Sequence, residues 1–302
     1  MKNLISIHDW SREEMTDLLD KADDHLKHLR TRRGFENSMH GKIVMNAFFE
    51  DSTRTRTSFE MAALRLGAKT VSFSASSSSL KKGESFEDTL KTLAMMHPDF
   101  FVIRAGEKNM PELAQRHMPC PVLNAGNGTD EHPTQALLDA LTLRGHFGRI
   151  EGLTVAICGD IRHSRVAGSN ILLLEKFGAE IRLVGPESLL PANRNNGPQQ
   201  FTEIEDGIAG ADAVMMLRIQ KERLDNNLEI DDAEYFRRYG LTQERLARAA
   251  PHAVVLHPGP MNRGVEIAGE IADDPRRSLI WKQVESGVAL RMACLETCAE
   301  AV

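Results

Sequence analysis

The sequence predicts an α/β fold of two domains, each a parallel β-sheet flanked by helices. Short apolar runs alternate with stretches of helical apolar spacing, the pattern of strand–helix–strand units. The chain has 302 residues, and at roughly 100–200 residues per domain that length suits two. The alternation also restarts, in the same style, after residue 150.

The elements come in order along the chain. Ser11-Arg12-Glu13-Glu14 reads as a capping box, and Leu18, Leu19, Ala22, Leu26 and Leu29 continue it as a helical stripe. IVMNAFF (43–49) is a buried strand, followed by a helix near 54–66, a strand at 69–73, a helix at 85–96 and a strand at 99–104. The segment 132–148 is a helix, with Pro133 suited to its first position. In the second half, LTVAICGD, AEIRLVGP, DAVMMLR and HAVVLHPGP read as strands and SRVAGSNILLLEKFG as a helix ending at Gly178. NRNNGPQQ (193–200) reads as a polar loop, and the serine-rich SFSASSSS (72–79) as a flexible surface loop on composition alone. The expected domains are 1–134, with a C-terminal helix 286–302 returning to it, and 135–285.

Composition removes several function classes. Apolar residues make up 41% and charged residues 26%, with a net charge of −6, so bulk electrostatics favour neither nucleic acid nor an anionic membrane. No apolar run approaches the ~20 residues of a membrane span, and the N-terminus lacks the form of a secretory signal. A cytoplasmic location is expected. The four cysteines (Cys120, Cys158, Cys294, Cys298) form no CxxC pair and read as reduced, mostly buried thiols. Cys294 and Cys298 share a helix face, but without a histidine pair they do not suggest a metal site.

In open α/β sheets, ligands lie beyond the carboxyl ends of the strands. The residues just after each apolar run are therefore informative. Ser52, Thr53, Arg54 and Thr55 come after the first, and Ser79, Lys81 and Lys82 after the second. Arg104 ends the third, and Arg162, His163 and Arg165 come after Cys158-Gly159-Asp160. Arg218 and Gln220 lie just past 213–217, and Pro258-Gly259-Pro260 just past 253–257. Basic groups are thus delivered repeatedly to strand ends in an acidic protein.

A helix starting near Thr53 leaves its first N–H groups unpaired and points its positive dipole end outward. Hydroxyls and the forked guanidinium of Arg54 complete a phosphate cradle. Arg56 lies about 200° further round the helix and is assigned to structural pairing. A plainer reading makes Thr57-x-x-Glu60 a capping box and 52–56 an ordinary loop. VAICGDIRHSRVAGSN has the strand–turn–helix shape of a dinucleotide site, with Glu187 as the ribose acid. It lacks G-x-G-x-x-G, and Asp160 in the turn would repel a pyrophosphate.

FFEDSTRTRTSFEMAALRLGA, SSLKKGES, NAGNGTDEHPTQALLD, LRIQKER and LHPGPMNRGVEI resemble the aspartate carbamoyltransferase family, catalytic chain, in order and spacing from residue 48 to 267. STRTR and HPTQ are shared among transcarbamoylases. RIQKER and HPGPMNRGVEI resemble the aspartate branch, since no cysteine follows His257 as it typically does in the ornithine branch. The resemblance implies the transcarbamoylase fold and carbamoyl transfer to the α-amine of L-aspartate, early in pyrimidine biosynthesis, without a cofactor or metal. It implies that Ser52, Thr53, Arg54 and Thr55 hold the phosphate of carbamoyl phosphate, with Arg104, His132 and Gln135 on its carbamoyl end. Arg165, Arg218, Gln220 and Lys82 take aspartate. Ser79 and Lys82 come from the adjacent subunit of a homotrimer, and Gly259 and Pro260 line the site with backbone. Arg54, Lys82, Arg104 and His132 are the catalytic group. Gly259 stands where some relatives have leucine.

Regulatory chains or dihydroorotase are further partners the resemblance allows. Two other functions compete with this one. A transcarbamoylase for another amino acid fits less well, because Arg218 and Gln220, with no acid at that strand end, suit a second carboxylate. A non-catalytic scaffold subunit would be expected to lose Arg54, Lys82, Arg104 or His132, and all four are present.

Overall fold

The computed structural model describes residues 2–32, 37–74, 83–192, 197–220 and 231–300. The first apolar run forms β1 (Ile43–Phe48), which sits inside a four-stranded sheet with β2 (Lys69–Ser74), β3 (Phe100–Ala105) and β4 (Val122–Asn127). The order is β2-β1-β3-β4 and every pairing is parallel. Helices make the crossovers: α2 (Thr53–Arg65), α3 (Phe86–Ala94) and α4 (Met110–His117). Both faces of the central strands are buried, which is why they read as unbroken apolar runs rather than as an alternation. Met45, Ala47, Phe101, Ile103 and Val122 pack with Leu90, Leu93 and Ala114 on one face.

The second sheet has the order β7-β6-β5-β8-β9, again all parallel. Its strands are β5 (Thr154–Cys158), β6 (Glu180–Val184), β7 (Gln199–Phe201), β8 (Ala213–Met216) and β9 (Val254–Leu256). Helix α6 (Arg165–Lys176) follows β5, and α7 (Ile204–Gly207), α8 (Asp232–Tyr239), α9 (Gln243–Leu246) and α10 (Gly269–Ala272) lie further along. Ala156, Cys158, Val214, Met216 and Val255 meet Ile204, Tyr235 and Leu246 in its core.

By contact the chain divides into Met1–Leu141 with Glu285–Val302, and Thr142–Val284. The change of unit falls inside α5 (Pro133–Phe147), not at its start. The long α11 (Ile280–Ala299) brings the chain end back to the first unit. There Glu296 meets His25 of α1 (Arg12–Thr31) at 2.7 Å and accepts from Ser38. The capping box at Ser11 and Glu14 is present in both directions.

Three readings need correction, and two elements are unforeseen. Helix α2 starts at Thr53, so 52–56 is not a loop before a capping box at Thr57. Arg56 makes no ion pair among the described residues, so its expected structural pairing is not seen there. The polar stretch 193–200 is not loop throughout: Gln199 and Gln200 belong to edge strand β7. Strand β4 and helix α4 are elements that the periodicity does not predict. VLNAGN carries no clear strand pattern, but the Asn124 side chain donates to Ile5 O and Asn127 Oδ1, both at 2.9 Å, and accepts from Gly126 N–H. These bonds satisfy a polar segment in a buried strand position.

All four cysteines are free and buried. Burial pushes the Cys120 and Cys298 thiols up to about 12, and those of Cys158 and Cys294 up as well. Almost no thiolate exists near pH 8, and the thiolate is the nucleophile. Native protein is therefore expected to leave an aromatic disulfide reagent nearly unreacted, and denatured protein to titrate all four thiols. Rapid reaction of a folded sample would contradict this burial.

Candidate active site

In each sheet one strand lies where the strand order reverses. It is β1 in the first, between β2 and β3, and β5 in the second, between β6 and β8. Crevices outside the carboxyl ends of strands at such points are where open α/β sheets bind ligands. The helices that leave these two strands are α2 and α6.

Helix α2 begins at Thr53 with Ser52 as N-cap, and the Ser52 side chain makes no capping bond. The first N–H groups of α2 are thus not closed by their own cap, and its first turn carries no acid. Helices α1, α3, α4 and α8 carry one or two acids there, while α5, α6 and α11 are acid-free like α2. Thr53 and Arg54 are exposed, Ser52 is half-buried and Thr55 buried. The positive end of a helix dipole, two hydroxyls and a guanidinium therefore stand together on the solvent side of β1.

Adjacent strands bring the carbamoyl-end candidates to the same sheet edge. Phe48 at the end of β1 is in register with Arg104 near the end of β3. Arg104 lies 3.6 Å from Glu50 and its Nη1 donates to Ala125 O at 3.4 Å. Next along, β4 runs into the turn that carries His132. That turn is held by Glu131, whose carboxylate accepts from Ser6 Oγ and, at 3.0 Å, from Ile7 N–H, while its own N–H donates to Asn127 Oδ1. His132 is 4% exposed, and its carbonyl accepts from the N–H groups of Gln135 and Ala136, starting α5. Gln135 is 8% exposed and donates to Asp139.

In the second unit, β5 is followed by Gly159 at φ +126°, where a Cβ would lie 2.5 Å from Leu217 O. Only glycine lets the strand ends approach so closely. Asp160, fully buried, then accepts from His163 N–H, His163 Nδ1 and the backbone N–H of Gln220. It ties the turn after β5 to the segment after β8. The residue disfavouring a pyrophosphate is therefore an internal tether, which places Arg165 at the first position of α6 and Arg218 two residues beyond β8. The Gln220 side-chain amide donates to His163 O at 2.8 Å, so part of its capacity is spent on the loop itself. After β9, His257 Nδ1 accepts from Gly259 N–H at 2.9 Å, and Nε2 meets Glu266 at 3.0 Å. Gly259 takes φ +67°, a backbone state a leucine would adopt only under strain. Ser79 and Lys82 lie outside the described residues.

Two family models cover the chain. The aspartate/ornithine carbamoyltransferase carbamoyl-phosphate-binding domain matches residues 2–145, and the Asp/Orn-binding domain residues 151–298. The chain belongs to the aspartate/ornithine carbamoyltransferase family. Within it, the chain is 51% identical to an aspartate carbamoyltransferase catalytic subunit of Granulibacter bethesdensis, covering 98% of this chain and 94% of that one. It is likewise 51% identical to that of Rhodospirillum rubrum, over 98% and 93%. Among solved structures it is similar to aspartate transcarbamoylase of Trypanosoma cruzi in complex with carbamoyl aspartate and phosphate (TM-score 0.87, 30% identity, 97% and 95% covered). The ornithine carbamoyltransferase of Pyrococcus furiosus has the same TM-score at 25% identity, over 97% and 96%. The carbamoyltransferase fold is common to both branches, so the choice between aspartate and ornithine rests on side chains.

Sequence reasoning missed Asn127, Glu131, Asp139 and the His257–Glu266 pair. Only Asp139 left a trace, at four positions from Gln135 on one helix face.

Proposed function

We propose that this chain transfers the carbamoyl group of carbamoyl phosphate to the α-amine of L-aspartate, giving N-carbamoyl-L-aspartate and phosphate, early in pyrimidine synthesis. The observation that carries it is the acid-free start of α2 at the switch point of the first sheet, with Arg54, Arg104 and His132 on adjoining strand ends. Ser52 to Thr55 hold the phosphate, Arg104, His132 and Gln135 the carbamoyl group, and Arg165, Arg218 and Gln220 the aspartate carboxylates. Gly259 and Pro260 line the site.

In the reaction the amine nitrogen bonds to the carbamoyl carbon, and charge gathers on the carbonyl oxygen. Donors from Arg104 and His132 stabilise it, as in an oxyanion hole. The bond from the carbamoyl carbon to the bridging oxygen then breaks, phosphate leaves with the electron pair, and it takes up the proton the amine gives up. No covalent enzyme intermediate is required, so positioning two anionic substrates is the main task. The deciding experiment is carbamoyl transfer by the purified chain with aspartate and ornithine side by side. Aspartate is the expected acceptor, and preference for ornithine would overturn the reading.

The working unit in this reading is a cytoplasmic homotrimer with sites shared between subunits, Ser79 and Lys82 coming from the neighbour. Supporting this, β2 is an edge strand with Val71 49% exposed, and Leu64 on α2 is 56% exposed. Such an edge beside apolar surface suits a second chain. Arg54→Ala and Lys82→Ala variants should each be nearly inactive. Refolded together in equal amounts, they should regain about a quarter of wild-type activity, because each mixed trimer holds one complete site. A mixture as inactive as its parents, despite proven subunit exchange, would remove the shared site. Regulatory chains or a dihydroorotase are further partners this reading allows for the trimer.

A further inference from the structure

Gln135 donates from Nε2 to Asp139 Oδ1 at 2.9 Å, and Asp139 is fully buried. A carboxylate only accepts hydrogen bonds. The amide NH2 of Gln135 must therefore face Asp139, and the orientation that is usually ambiguous for a glutamine is fixed. Its Oε1 then points away from Asp139.

A buried carboxylate needs nearby positive charge. Arg291, on α11, is a charge that favours the ionised form of Asp139, as Asp139 favours that of Arg291. Arg291 is 3% exposed and donates to Ser58 Oγ at 2.9 Å, Gly287 O at 3.1 Å and Thr134 Oγ1 at 3.3 Å. Its guanidinium lies 5.0 Å from the Phe59 ring centre. Burial draws it down to about 10, which leaves it charged at neutral pH. The contact is built tightly, since a Cβ at Gly287 would come within 2.7 Å of Arg291 Nη1. Arg291 thus joins α2, which carries the phosphate cradle, to Thr134, between His132 and Gln135.

We propose that Asp139 is a specificity-determining positioning residue: it turns Gln135 so that Oε1 accepts from the –NH2 of the acyl group, selecting a carbamoyl over an acetyl phosphate. This rests on carbamoyl phosphate being the substrate. A methyl group in place of –NH2 leaves the buried acceptor unpaired, and sites built to bond an N–H discriminate strongly against analogues that lack it. When Asp139 is lost, the amide is free to flip and that discrimination fades.

The test measures kcat/KM for carbamoyl phosphate and for acetyl phosphate, with aspartate as acceptor, in the full-length chain. Asp139→Leu should lower the carbamoyl-to-acetyl ratio about 10-fold, chiefly through carbamoyl phosphate. Gln135→Leu should lower it similarly, and the double variant no further, because both act through one amide. A purely structural role would reduce both substrates alike, so an unchanged ratio in Asp139→Leu, or additive losses in the double variant, overturns the proposal. If Asp139→Leu does not fold, Asp139→Asn and Gln135→Leu carry the test, and an unchanged ratio in both overturns it equally. Wild-type chain with no carbamoyl transfer at all would count against the substrate reading instead.

Discussion

Arg54→Ala is expected to cut kcat by about 10²–10³ while the protein stays folded, the usual cost of losing one preorganised charged donor at a reacting group. Arg54 lies in the first turn of α2 and is exposed, so no core packing is lost with it. The helix dipole and hydroxyls remain, which is why some turnover survives. Arg56→Ala is the matched control, because its side chain leaves the helix about 200° away. The measurement is steady-state phosphate release alongside carbamoyl-aspartate formation, with thermal unfolding as the folding check. Near wild-type turnover in Arg54→Ala would falsify the phosphate cradle. Equal losses in the two variants would mean a general loss of positive charge, not a directed contact.

Arg218→Ala should raise the aspartate dissociation constant about 10- to 10²-fold, as expected for a charge-assisted bond to a carboxylate. Carbamoyl phosphate affinity should hardly change. Ser52 to Thr55, proposed for the phosphate, fall in the first unit, and Arg165 and Arg218, proposed for aspartate, in the second. Calorimetry with each ligand separates the cases, and equal weakening of both ligands would argue against this division of roles. The Asp160 tether sharpens the expectation. It fixes the backbone of Gln220 to the turn after β5, so the Arg218 segment is held in place without its side chain.

Much of this is legible in the residues. Ser52-Thr53-Arg54-Thr55 between an apolar run and a helical spacing marks a helix start open to an anion. Pro133 marks the start of α5, and Ser11 with Glu14 that of α1. These signals are local, since caps, dipoles and proline geometry act within one turn of chain. Apolar runs with both faces buried also announce parallel strands before any pairing is known.

The missed elements fail for the complementary reason. VLNAGN is a strand because Asn124 reaches Ile5, a residue more than a hundred positions earlier in the chain. QQF is a strand because it borders β6. Neither partner can be read from the segment itself. The order of strands is likewise invisible in sequence, so nothing there distinguishes β1 and β5 as the reversal points that make crevices.

The amino-acid sequence by itself determined the class of fold, the helix starts and the residue types offered to two anions, because short-range sterics and periodicity fix them. Only the tertiary structure decided which strand ends adjoin, that Asp160 is a tether, that Asp139 takes the Gln135 amide, and that Arg291 ties α2 to Thr134. Those depend on buried polar groups finding partners far along the chain, and a buried carboxylate is recognised by what surrounds it, not by its neighbours in sequence.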